Sequence, residues 1–91
     1  MRRLSVIIPT FRRPEGFLRA ARSVLAQDAT CEIVGLDNAP EHSARAAFAA
    51  FKREAGARFG WAHERRAGVA NARNAALDLA HGALIAWLDD D

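Results

Sequence analysis

Strand-like and helix-like patterns alternate along the whole chain without exception, and no other feature of the sequence limits its fold so tightly. The runs from Leu4 to Ile8, Glu32 to Leu36, Arg58 to His63 and Leu84 to Leu88 combine β-branched, aromatic and apolar residues, which suit a pleated surface buried on both sides. Between them lie three helical stripes. In the first, Phe17, Leu18, Ala21, Val24 and Leu25 recur at helical spacing while Arg19 and Arg22 are left for solvent. In the second, Ala44, Ala47, Phe48, Phe51 and Ala55 form the apolar side, and Pro40 stands where a first helical turn tolerates it. The third carries Val69, Ala72, Ala76, Leu79 and Ala80 and is expected to end at His81-Gly82, glycine closing the helix in a left-handed conformation and histidine facing the negative dipole end.

Such alternation predicts an α/β fold: a parallel sheet of about four strands with helices on both faces. Right-handed crossovers favour the strand order third, second, first, fourth, so the winding reverses between the first strand and the fourth. Ligands bind at such a switch point, beyond the carboxyl ends of the strands. Ninety-one residues suffice for one domain or part of one, and residues 1–91 are read as a single partial domain with no linker or repeat.

Thirteen Lys and Arg against eleven Asp and Glu leave a net charge of only +2, and the arginines are scattered, so charge does not suggest a nucleic-acid partner. Cys31, the single cysteine, lies in an apolar run and reads as a small buried hydrophobe in a reducing, cytoplasmic setting. The apolar run after Met1-Arg2-Arg3 is too short for a signal peptide, and no stretch here could span a bilayer.

In a parallel sheet the segments leaving the strand ends emerge on one edge. That edge gathers Pro9-Thr10-Phe11-Arg12-Arg13, Asp37-Asn38-Ala39-Pro40, Glu64 to Gly68, and Asp89-Asp90-Asp91. Three successive carboxylates repel one another unless a cation or strong donors compensate, and a hard divalent ion shared with substrate phosphate does so. The bland alternative is a solvated acidic loop. Trp61 and Trp87 fall within strands, where burial is the expected fate. His42 and His63 have no metal-ligand spacing with each other or with Cys31, and surface or edge positions are expected for them.

Leu4-Ser5-Val6-Ile7-Ile8-Pro9-Thr10-Phe11 resembles the opening strand of family 2 glycosyltransferases. Further along, Glu32-Ile33-Val34-Gly35-Leu36-Asp37-Asn38 is similar to the family's second strand and acidic turn, and Gly68 to Leu77 resembles its helix with an Ala-Arg-Asn core. Gly82 through Asp91 resembles the strand that leads into the Asp-x-Asp motif. Each motif alone is weakly specific; four in the right order carry weight together.

The resemblance implies the Rossmann-like first half of a GT-A fold binding a nucleoside diphosphate sugar, for transfer to a saccharide or lipid-linked acceptor in cell-envelope polysaccharide or glycolipid synthesis. It places Pro9, Thr10 and Phe11 against the nucleoside and Asp37 or Asn38 on the base or ribose. Arg73 is placed on the diphosphate or base, Asp89 and Asp90 on ribose or metal, and Asp91 with Asp89 on a divalent cation, Mg²⁺ or Mn²⁺. The implied transfer inverts the anomeric carbon, and its general base is expected beyond Asp91, so this piece alone is expected to be inactive, acting in the full-length protein in the cytoplasm or at the inner face of the membrane. Phe11 has a second reading as core, Asp37-Asn38 as a helix cap, and Arg73 as a solvated surface cation. Arg12 stands where the family often has Asn, and Asn38-Ala39-Pro40 replaces its commoner acidic, Gly and Ser residues, which leaves the nucleotide open.

The rival from another class is a non-catalytic nucleotide-binding module. A phosphoacceptor domain would need an acidic pair after the first strand, where Pro9-Thr10 stands. A dinucleotide-dependent oxidoreductase would need Gly-x-Gly-x-x-Gly there.

Overall fold

A computed structural model describes residues 3–28, 30–66 and 68–90, without the Val69 side chain; Asp91 and the place of Val69 in the third stripe thus lie outside the described residues. The elements run β1 (Leu4–Thr10), α1 (Pro14–Gln27), β2 (Glu32–Asp37), α2 (Arg45–Ala55), a 3-10 turn at Gly56–Arg58, β3 (Phe59–His63), α3 (Val69–Leu79) and β4 (Leu84–Trp87). All strand pairs are parallel and the order is β3-β2-β1-β4, as the alternation predicts.

Successive side chains on a strand point to opposite faces, so each strand feeds two cores. On one face Val6, Ile8 and Ile33 pack with Phe17 and Ala21 of α1 and Phe48 and Phe51 of α2. Phe17, Phe48, Phe51 and Phe59 meet mainly edge to face, with Phe17 and Phe48 centroids 4.8 Å apart. Gly35 of β2 has no room for a side chain here, because an added Cβ would lie 2.9–3.1 Å from the Phe48, Phe59 and Phe17 rings. On the other face, among the described side chains, Ile7, Val34 and Leu36 receive Ala72 and Ala76 of α3 as buried partners, with Ala75 and Leu79 partly buried against them. Cys31 is 1% exposed, in accord with its reading as a buried hydrophobe.

Several local expectations are corrected. Pro40 is not in the first turn of α2: a turn closed by His42 N–H on the Ala39 carbonyl intervenes, and His42 at φ 51 holds the chain out of helix until Arg45. The proline that does open a helix is Pro14, whose missing N–H costs nothing in a first turn. The third helix stops at Leu79, capped by an extended Ala80, not at His81-Gly82. Gly82 is required for a different reason, since a Cβ there would strike the Ser5 backbone 2.6 Å away. His81 contacts no helix end; its N–H and ring both reach the Glu32 carboxylate, at 2.8 and 2.9 Å. Arg58 precedes β3 and donates to the Asp28 and Cys31 carbonyls. Trp61 and Trp87 are 45% and 43% exposed, against the expectation of burial, because β3 and β4 are the outer strands of the described sheet and lack a full helical cover.

Candidate functional site

Pro9 marks where the sheet opens. A residue of a parallel strand directs both its backbone groups to one neighbour, and successive residues alternate. Ile7 turns toward β4, accepting from Leu88 N–H at 2.9 Å, and Thr10 turns toward β2, accepting from Asn38 N–H at 3.1 Å. Pro9 therefore faces the β4 side just where β4 has ended at Trp87, and its missing N–H leaves no bond unmade. The two strands part beyond this point, at the switch point of the winding.

A cleft of about 290 Å³ occupies the gap. Pro9, Thr10 and Phe11 from the end of β1, Asn38 from the end of β2, and Ala72 and Arg73 from α3 form its walls, with Trp87 and Asp90 closing the β4 side. Of the residues expected at a nucleotide site, Pro9, Thr10, Phe11, Asn38, Arg73 and Asp90 are thus brought together. Asp37 and Asp89 do not line the cleft, and Asp91 is outside the described residues.

Each wall has a local cause. The Thr10 hydroxyl donates to the Arg13 carbonyl at 3.3 Å, folding the segment after β1 back on itself, and Arg12 takes a left-handed φ of 58 at the bend. Phe11 is left 52% exposed on the cleft rather than in the core. Asn38 donates from its amide to the Glu64 and Arg66 carbonyls, at 2.7 and 3.1 Å, and so ties the β2 loop to the β3 loop. Arg73 lies a little over one turn inside α3, whose N-terminus opens toward the same edge and favours an anion. Its guanidinium rests over the Trp87 ring, 5.3 Å from the centroid.

Asp37 has a structural position. Its side chain is fully enclosed; one oxygen accepts from Ala39 N–H at 2.9 Å, and the other from Ala44 N–H at 2.9 Å and His42 Nδ1 at 2.8 Å. The capping of α2 that the sequence left open for the Asp37-Asn38 turn is not made, since these bonds stop at the turn before Arg45 and hold that turn instead. His42 and His63, expected at the surface, stand beside it, and their rings stack at 4.3 Å and 15°. Asp37, His42 and His63 bring possible ligand atoms within 4.8 Å of one another. Most of these atoms are already engaged: His63 Nε2 donates to the Ala39 carbonyl at 2.6 Å and His42 Nδ1 donates to Asp37, while His42 Nε2 is buried with no hydrogen-bond partner. Ring lone pairs lie in the ring planes, so two nearly parallel stacked imidazoles do not aim them at one point between the rings. The hydrogen bonds of the trio brace the β2 loop. The neighbourhood of Asp37 and His63 was readable in principle, since the two are register partners at the ends of adjacent strands. His42 joins them only through the turn conformation.

The acidic end has a different character. Asp89 is exposed, while Asp90 is folded inward, one oxygen 3.7 Å from Arg13 Nε and the other, Oδ2, buried with no hydrogen-bond partner. A carboxylate oxygen in that condition is costly unless a donor or cation reaches it. Hard carboxylate oxygens are the ligand type that Mg²⁺ or Mn²⁺ takes, and Asp90 brings one to the cleft. Arg65 and Arg66 are exposed at the same edge. Arg66 is bound at 2.6 Å to Glu64, whose carboxyl it holds down to about 2, through side-chain hydrogen bonds first and a backbone N–H second.

Fold and cleft together define a doubly wound α/β domain with an open cleft at the reversal of winding. The sequence pattern describing glycosyl transferase family 2 matches residues 5–91, and the chain belongs to that family. No curated protein matches the chain.

Proposed function

We propose that this chain binds the nucleoside diphosphate of an activated sugar in the cleft between β1 and β4, as the donor half of an inverting, metal-assisted glycosyltransferase. The observation that carries the proposal is the convergence, on one cleft at the switch point, of an apolar wall, two arginines and an inward carboxylate with an unpartnered oxygen. Phe11 and Pro9 offer flat apolar surface to a base, and Asn38 and Thr10 offer polar groups to base or ribose. Arg73 and Arg13 bring positive charge to a diphosphate. Asp89 and Asp91 would hold Mg²⁺ or Mn²⁺, which supplies compensation for charge developing on the departing diphosphate. Asp37 serves indirectly, by fixing the loop that carries Asn38.

Inversion requires a base to take the proton of the acceptor hydroxyl as it attacks the face of the anomeric carbon opposite the diphosphate. Asp90 is the only carboxylate lining the cleft among the described residues, and its contact with Arg13 suits it to the donor side. Among the described residues no helix is long and apolar enough to cross a membrane.

Thermal unfolding with nucleotides tests this reading. Uridine or thymidine diphosphate at a hundred times its Kd, with Mn²⁺, stabilises by about 2.7 kcal/mol and raises the melting temperature accordingly. Chelator should remove most of that rise. No shift with any nucleoside diphosphate at millimolar concentration would refute the assignment.

A further inference from the structure

Trp87 has no role in the site derived above, yet its position is unusual for a tryptophan. It stands on β4 opposite Ile7 of β1, on the face that α3 covers, and it remains 43% exposed. The residue lines the cleft together with Phe11 and Pro9. Arg73 lies over the ring and lines the same cleft. One residue, Leu88, stands between Trp87 and Asp89, so their backbones lie at most about 7 Å apart along extended chain.

We propose that Trp87 is the stacking platform for the base of the nucleoside diphosphate, and that Arg73 gives up its place over the indole to bind the diphosphate when the ligand enters. The inference rests on the nucleotide reading of the cleft and adds to it a residue and a movement. A cation over a half-exposed ring is held weakly, whereas the same guanidinium on phosphate gains charge-assisted, paired hydrogen bonds. The exchange therefore runs toward the diphosphate, and the ring face it vacates is open to a flat heterocycle. Aromatic stacking tolerates different bases, because each presents a π face. Asn38 and Thr10, not Trp87, would then decide which base is preferred.

The chain holds only two tryptophans, so each can report alone. In Trp61→Phe protein, titration with uridine diphosphate and Mg²⁺ should change the emission of Trp87, whereas inorganic pyrophosphate should change it less, moving Arg73 without supplying a base. In Trp87→Phe protein the remaining Trp61 should stay flat while binding, read by calorimetry, holds within about threefold. Trp87→Ala should weaken uridine diphosphate by about tenfold and leave pyrophosphate within about twofold. Trp87→Leu keeps apolar bulk on the strand and should behave like Trp87→Ala, which guards against a variant that fails to fold. If uridine diphosphate binds the wild type but Trp87→Leu binds it equally well and Trp87 emission does not respond, the platform is disproved and the nucleotide cleft stands. If no nucleoside diphosphate binds the wild type, the underlying reading falls with it.

Discussion

The two faces of the sheet are built to different standards. Under α1 and α2 four phenylalanines interlock with Val6, Ile8 and Ile33, and even a methyl group at Gly35 has no space. Under α3 the buried helical partners among the described side chains are two alanines, and the sheet continues outward into the half-exposed Trp87. Large interlocking rings fix a scaffold, because dense packing resists displacement. Small residues let α3 approach closely and leave its N-terminal turn and Arg73 free to face a ligand. Stability is concentrated on one side and the opening lies on the other, which allows the site to be polar and partly unsatisfied without unfolding the domain.

The largest effect should come from breaking the dense face. Phe17→Ala is expected to cost about 3–5 kcal/mol, a large part of the 5–15 kcal/mol on the order of which a domain this size depends. Leu77→Ala, on the exposed side of α3 at 44% exposure, should cost under about 1 kcal/mol. Urea denaturation of both measures the contrast, and equal losses would show that the two faces are not so different.

A smaller and more selective effect is expected where the regions meet. The Asp90 carbonyl lies against Gly16 of α1, so that a Cβ at this position would collide with it. Gly16→Ala should cost about 1–3 kcal/mol through displacement of that backbone, and it should weaken metal-dependent nucleotide stabilisation more than it lowers the melting temperature. A variant that loses stability yet keeps the full nucleotide shift would separate Asp90 from the site.

The smallest effect concerns acid. Burial pushes the Glu32 carboxyl up, but the His81 N–H and ring and the Ser5 hydroxyl outweigh it and leave it below the usual carboxylate range. Glu64 is likewise depressed, to about 2. Groups whose folded values lie below their unfolded ones contribute stability above the unfolded value, and lose it as pH falls through the folded one. The acid limb of the stability curve should therefore lie below about pH 4.5, and Glu32→Gln should make it shallower while changing little at pH 7 beyond the loss of one network at the closed end of the sheet. An unchanged acid limb in that variant would remove Glu32 from the account.

Which parts of this were readable from the chain follows from the range of the interactions involved. Alternating patterns name strands and helices because burial repeats at a fixed period, and handed crossovers then order the strands; even the gathering of Pro9, Thr10, Asn38, Arg73 and Asp90 at one edge follows from topology. Trp87 was misread because an aromatic in a strand tells nothing of whether a helix covers it. Pro40 and Gly82 were misplaced for a related reason: proline and glycine signal a special backbone, but which neighbour demands it is a matter of contact, here the Ser5 backbone for Gly82.

The sequence by itself determined the class of fold, the edge on which these loop residues gather and the family, since all three rest on local periodicity and on motifs in order. Only the tertiary structure decided that Asp37 turns inward to His42 and Ala44 while Asn38 faces the cleft, and that Arg73 lies on an exposed Trp87. Those outcomes depend on which partners the folded chain brings within hydrogen-bonding and stacking distance across tens of residues, and no repeating pattern along the chain encodes them.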